Sequence, residues 1–321
     1  MGRYTIDPDR VVANRRRNRR HAGLLIGSMA GLLAAVGWFI AGPVGVIIIA
    51  VFAVVTLAIG PRVSQQVMLQ IYAARPLRRD EVPMLYDLVA ALCERAAIPQ
   101  TVKLYYIPSR LMLAFTVGGK ESVGLSLSDG LLRKLSGREI AGVLAHELSH
   151  VAHHDLTLMA LADFMTKVTR TMAFLALLLI AINLPFLMEG DIAIPWPPIV
   201  LLMVAPLLSL LLQLGLSRSR EYDADAGAAM LTGDPEAVAS ALQKMEAQQR
   251  RYWETLFGRE GAVDQPSVLR THPRTQERVD ALARYARRAD DDLPAPPADV
   301  LPPDAGGVGA KPRRRFHGFR F

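Results

Sequence analysis

A chain of 321 residues with 51% hydrophobic content and a mean hydropathy of +0.22 is too apolar for an ordinary soluble protein, and the excess falls in blocks that read as membrane spans. The formal charge of +7 belongs to the ends: residues 1–20 and 311–321 carry +5 each and everything between them sums to −3, which excludes a nucleic-acid-binding face on the folded body. Cys93 is the one cysteine, so an intrachain disulfide is excluded, a reducing compartment fits, and the residue itself reads as a small apolar side chain buried in a helix.

The chain opens with a basic segment, residues 1–21, that ends in Arg15-Arg16-Arg17-Asn18-Arg19-Arg20. Residues 21–61 then contain no Asp, Glu, Lys or Arg. One straight helix of that length would reach about twice the ~30 Å hydrocarbon thickness, so the segment is expected to fold back at Gly42-Pro43 into spans over 22–40 and 44–60, a first transmembrane hairpin. The Arg cluster places the N-terminus in the cytoplasm. A cleaved signal peptide is the competing reading. It fits poorly, because the apolar run is long, lacks a small-x-small site and leads straight into a second apolar segment.

Residues 62–158 read as the first part of a cytoplasmic catalytic unit. Asp80 is expected to cap a helix through about 97 with Leu85, Leu88, Leu92 and Cys93 on its apolar face. Strands follow at Val102 to Ile107, Leu111 to Val117 and Ser122 to Leu127, the last two forming a hairpin across Gly118-Gly119-Lys120-Glu121. Ser136 and Glu139 form the S-x-x-E capping box, which puts a helix start just ahead of His146-Glu147-Leu148-Ser149-His150. On a helix, residues four apart share a face, so His146 and His150 can grip one metal ion beside Glu147, and that geometry suits zinc.

Two uncharged blocks, 171–188 and 192–217, read as a second transmembrane hairpin over 171–216, with the Glu189-Gly190-Asp191 connection on the outer side. Residues 217–289 form the second part of the catalytic unit, including a helix opened by Asp234-Pro235 and another over 274–288. Pro, Ala, Gly and Asp remove all apolar periodicity from 290–321, which reads as a disordered basic tail. Its Arg313-Arg314-Arg315-Phe316 end suits either solvent or anionic lipid headgroups.

Catalytic zinc normally takes three protein ligands and leaves one position to water. Ser217-Arg218-Ser219-Arg220-Glu221-Tyr222-Asp223-Ala224-Asp225 offers the third: Glu221 can bind the metal while Asp225, on the same helical face, orients a ligand imidazole. Solvated carboxylates paired with Arg218 or Arg220 are the simpler alternative, but both segments flank one transmembrane hairpin and return to one membrane face. His153 and His154 lie past the motif and read as a helix end, with Asp155 capping the next helix. Some twenty residues separate His150 from the next apolar block, so an unbroken helix would leave His150 roughly 30 Å from the interface, beyond reach of Glu221. A break near His153 to Asp155 is therefore expected.

The ordered set H-E-L-S-H-V-A-H-H-D, S-R-S-R-E-Y-D-A-D and Thr271-His272-Pro273 with Arg278 closely resembles the HtpX-like integral-membrane metallopeptidases, relatives of the CAAX prenyl proteases, from the first span to about residue 285. The resemblance implies zinc ligands His146, His150 and Glu221, Glu147 as base, Asp225 and Arg278 behind the ligands, and His272 near the substrate oxyanion. The substrate-lining strand of that family carries Asn-Ala-Phe, and here Leu113-Ala114-Phe115, followed by Thr116, takes its place. The missing Asn removes a side-chain contact but not backbone pairing with an extended substrate, so selectivity is expected to be broad. The expected protein is mainly α and integral to a bacterial inner membrane: four transmembrane helices carry a cytoplasmic α+β zincin-like (gluzincin) domain with a small sheet. Its expected function is Zn2+-dependent cleavage of polypeptides, in particular misfolded membrane proteins, in contact with membrane lipids. Cleavage of prenylated or lipidated C-termini is the rival enzyme reading, and a membrane scaffold with a closed structural metal is the rival outside catalysis; an intact Glu147 argues against the scaffold, which needs no base.

Overall fold

The computed structural model describes residues 4–6, 8–99, 101–118, 123–182, 184, 196–257 and 274–288. Helix α1 (Pro8–Ile71) departs from helical geometry at Ala41 and at Gly42, whose φ of 57° lies in the left-handed region that favours glycine. There the chain reverses. A Cβ on Gly45 would lie 2.1 Å from the Gly37 carbonyl oxygen, whereas residues eight apart in one straight helix are separated by about 12 Å. Glycine at both positions lets the two halves touch backbone to backbone, and Ile49 of the second half packs against an apolar cluster that includes Met29 and Leu33 of the first. Among the described residues, three helices are long and apolar enough to cross a membrane: Ala13–Thr56 within α1, Asp155–Ile182 and Trp196–Thr232. Large apolar side chains stand exposed along all three, among them Phe52, Phe174 and Leu207, as lipid-facing surfaces require.

After strand β2 (Arg75–Pro76), α2 covers Pro83–Arg95. Its start differs from the expected Asp80 cap. Val82 is the N-cap and Pro83 begins the helix, because proline needs no hydrogen-bond acceptor at a first turn, while Asp80 pairs with Arg78 at 2.9 Å. Leu85, Val89 and Leu92 are buried, with Leu88 and Cys93 half-buried against the same core; burial pushes the Cys93 thiol up to about 11.

Strands β3 (Val102–Ile107), β4 (Ala114–Gly118) and β5 (Val123–Ser128) complete a sheet of order β2-β3-β5-β4, in which β3 and β5 are parallel and β4 is antiparallel to β5. The expected hairpin is present, with Ala114 opposite Leu127 and Gly118 opposite Val123; residues 119–122 of its turn lie outside the described residues. All six residues of β5 are buried, and β4 is left at the sheet edge. β4 begins three residues later than expected because side chains satisfy the backbone before it. Ser128 Oγ donates to Leu111 O (2.6 Å) and accepts from Leu113 N (2.8 Å), while Gln248 accepts from Met112 N and donates to Arg110 O. Leu113 therefore precedes the strand.

Short helix α3 (Asp129–Lys134) leads to α4 (Gly137–Ala152), which starts at a complete capping box: Ser136 Oγ accepts from Glu139 N and Ser136 N donates to Glu139 Oε2. Glu139 is buried and also receives Ser240 Oγ (2.6 Å) and Lys244 Nζ (2.7 Å). Burial alone would raise its pKa, but the Lys244, Ser240 and Ser136 bonds hold it down at about 2. A carboxyl lowered on folding stabilises above its unfolded value near 4.5, and that stabilisation is lost as pH falls from there toward 2. With Lys244 half exposed, the contribution is about 2 kcal/mol. Glu139→Gln is expected to lower the thermal midpoint at pH 7 and to flatten the acid limb between these values; an unaltered acid limb in pH-dependent melting would refute the assignment.

α4 ends at Ala152 with His153 as its C-cap, His154 takes a φ of 58°, and a separate helix α5 (Asp155–Ile182) begins. The expected break is there. α6 (Trp196–Thr232) returns along α5 and α4, α7 (Pro235–Phe257) opens with Asp234 Oδ1 accepting from Ala237 N, and α8 (Thr275–Tyr285) is shorter than expected. It yields to strand β6 (Ala286–Arg288), which pairs antiparallel with β1 (Tyr4–Ile6) and so joins the two ends of the described chain. The core lies between the sheet, α2, α4 and α7, where Leu104, Leu125, Leu127, Leu144 and Leu148 are wholly buried.

Candidate metal centre

His146, Glu147 and His150 stand on α4, and Glu221 and Asp225 on α6. The two helices approach closely at Gly227, where a Cβ would come within 2.5 Å of Ser149 Oγ. Glycine there lets Glu221 reach the imidazoles. Glu221 Oε2 lies 3.6 Å from His146 Nε2, Oε1 lies 4.0 Å from His150 Nε2, and the two Nε2 atoms are 3.2 Å apart. Three such atoms, all within 4.8 Å of one another, fit a zinc ion, whose ~2.0–2.2 Å bonds separate tetrahedral ligand atoms by about 3.4 Å.

The partners of the Nδ1 atoms carry the fit further. His150 Nδ1 bonds Asp155 Oδ2 at 2.9 Å, and His146 Nδ1 lies 3.0 Å from Asp225 Oδ1, close enough to bond although its angle falls short of good alignment. Carboxylates at both Nδ1 positions place the protons there, leaving two Nε2 lone pairs aimed at one point. Without a cation between them those lone pairs repel. Burial alone would lower the His150 pKa; the Asp155 bond, then the Glu147 and Glu221 charges, outweigh it and raise it.

Arg278 of α8 is buried and reaches behind Glu221 and the imidazole of His146. Its Nε and Nη2 grip Asp225 as a fork at 2.7 and 2.6 Å, and Nη1 lies 3.0 Å from Glu221 Oε2. Glu147 Oε2 accepts from Thr116 Oγ1 at 2.9 Å, which ties the edge strand β4 to the metal helix. Ala114 and Phe115 lie on the same strand, with the Phe115 ring 5.0 Å from that of Tyr72. His146, Glu147, His150, Glu221, Asp225, Arg278 and Thr116 thus come together; His272, with Thr271 and Pro273, lies outside the described residues.

Asp155 and Arg220 were not foreseen in this role. Asp155 begins α5, but its carboxylate is spent on His150 and on Arg220 Nη1 at 3.4 Å, not on capping. The left-handed turn at His154 swings it back onto the metal helix, a geometry no local spacing announces. His153 stays at the helix end as expected, and burial, together with the nearby Arg15 charge, holds its pKa near 4 and its ring neutral.

Long lipid-facing helices and a three-residue metal cradle beside a carboxylate define a membrane-associated metallopeptidase. The sequence model of Peptidase family M48 matches residues 79–286, and the chain belongs to that family. It is 34% identical over 286 residues to a protease HtpX homolog of Nostoc punctiforme, covering 84% of this chain and 97% of the relative. A protease HtpX homolog of Thermococcus sibiricus is 32% identical over 285 residues, covering 82% and 94%. Among solved structures, Ste24p of S. mikatae shares the fold, with a TM-score of 0.51 at 19% identity over 87% of this chain and 68% of that one.

Proposed function

We propose that the chain is a zinc endopeptidase working at the cytoplasmic face of a bacterial inner membrane, with His146, His150 and Glu221 as its zinc ligands. The observation that carries this is the convergence of three ligand atoms from two helices, with a carboxylate behind each imidazole and Glu147 one residue from a ligand. Zinc, when bound, supplies Lewis acidity that acidifies water and polarises a carbonyl. Glu147, held by Thr116, takes the proton of the attacking water and delivers it to the departing amine nitrogen. Asp225 and Asp155 hold the imidazoles in the tautomer that presents Nε2, and Arg278 keeps Asp225 ionised and Glu221 aligned. His272 is assigned to the oxyanion on its sequence position alone. An extended polypeptide adds to the free edge of β4 along Ala114, Phe115 and Thr116, with Leu113 just before it, reading backbone more than side chains.

Four membrane crossings, two from the halves of α1 and one each from α5 and α6, return the metal residues to a single face. The joining of residues 4–6 to 286–288 favours both ends on that face. Misfolded membrane proteins are the proposed substrates, since relatives named HtpX align over most of their length whereas Ste24p shares fold alone. Purified protein in detergent is expected to hold about one zinc per chain and to cleave an unfolded membrane protein, losing activity to a chelator and regaining it with zinc. Zinc without cleavage of any polypeptide would favour a scaffold, and cleavage of prenylated peptides alone would favour C-terminal processing.

A further inference from the structure

A cavity of about 280 Å³ opens between α1, the start of α5 and α6, separate from the metal centre. Arg15, Arg19, Gly23 and Ile26 form one stripe along α1, each a turn beyond the last, and the stripe passes from cationic to apolar over about 16 Å. Ala22 and Leu158 continue the apolar wall; Arg220, His153 and Asp223 close the polar end. A Cβ on Gly23 would meet nothing within 4 Å, so the apolar half is open beside that residue.

The polar end carries three arginines against the one carboxylate of Asp223. Arg220 is 7% exposed, with its Nη groups on Asp223 and Asp155, yet its Nε has no partner, and neither has the buried Nδ1 of His153. Both atoms are closed to solvent, so the anion-binding character of this end comes from the guanidinium groups of Arg15, Arg19 and Arg220 rather than from these two nitrogens. Asp223 does not repel an anion strongly, because Asn18 Nδ2 at 2.6 Å and Arg220 already hold its carboxylate. Arg15 acts on Asp223 across the cavity, yet Arg15, Arg19 and Arg220 against that single carboxylate leave the lining a positive excess.

We propose that this cavity binds the headgroup of an anionic phospholipid, its phosphate oxygens taken by Arg15, Arg19 and Arg220 and its glycerol and first acyl carbons lying along Gly23, Ile26 and Leu158. A free phosphate would meet the cationic end but leave the apolar wall bare. Arg220 also reaches Asp155, which holds His150, so the bound lipid braces the same residues that orient a metal ligand.

The test uses the full chain in neutral detergent, titrated with phosphatidylglycerol, phosphatidylcholine or inorganic phosphate, reading bound lipid by native mass spectrometry and the thermal midpoint. Phosphatidylglycerol is expected to bind and raise the midpoint where phosphatidylcholine and phosphate do not. The pair Arg15→Gln and Arg19→Gln is expected to weaken this binding roughly tenfold. Gly23→Leu, which keeps every charge, fills the apolar half and favours the helix, is expected to abolish it. Arg16→Gln with Arg17→Gln removes equal charge from exposed positions outside the cavity and is expected to change binding less than about twofold. Equal loss from that control pair, or undiminished binding in Gly23→Leu, would show attraction to the basic segment as a whole and overturn the site. An equal response to inorganic phosphate would make it a small-anion site and overturn the lipid.

Discussion

Glu147→Gln is expected to lower peptide cleavage by about 10³-fold or more while leaving about one zinc bound per chain. The two effects separate because Glu147 lies beside the three ligand atoms rather than among them. Gln has the same shape, and its amide oxygen can still accept the Thr116 hydroxyl bonded to Glu147 at 2.9 Å, so β4 and α4 stay joined. What is lost is a base able to carry a proton from water to the leaving nitrogen. Metal analysis and initial rates on one preparation decide the matter. Retained proteolysis would remove Glu147 from the mechanism, and lost zinc would make it a ligand.

Arg278→Ala is expected to destabilise the protein by about 3–5 kcal/mol, since it leaves two buried carboxylates without their cation. The side chain of Asp225 is 2% exposed and that of Glu221 10%, so water cannot take the place of the guanidinium. Metal enters the comparison directly. Zinc neutralises Glu221, so the thermal midpoint is expected to fall more in the chelated protein than in the loaded one, and zinc affinity is expected to fall as well. Arg278→Lys keeps the charge but loses the two-pronged grip on Asp225 and recovers only part of the stability. Equal midpoint losses with and without zinc would uncouple Arg278 from the metal centre.

Much of this was legible along the chain because it follows from local periodicity or from solvation. The four-residue spacing of His146 and His150 sets a shared helical face, Ser136 and Glu139 announce where that helix starts, and uncharged runs too long for a soluble core announce the spans. Even the break after His153 followed from arithmetic, since a straight helix would carry His150 too far from Glu221. Local signals failed where another group took over a residue's hydrogen bonds. Asp80 was displaced as a cap by Pro83, and the strand expected from Leu111 starts at Ala114 because Ser128 and Gln248 claim the backbone before it.

By itself, then, the sequence determined the helix carrying His146, Glu147 and His150, the apolar blocks and the family. Tertiary structure alone decided that Asp155 and Arg220 stand behind His150, and which carboxylates Arg278 grips. Asp155 reaches His150 only because His154 adopts a left-handed turn, Arg220 reaches Asp155 across 65 residues, and Arg278 closes on Asp225 across 53. Such partners carry no spacing rule: they are chosen by which buried charges need compensation once the helices have packed, and that need exists only in the folded protein.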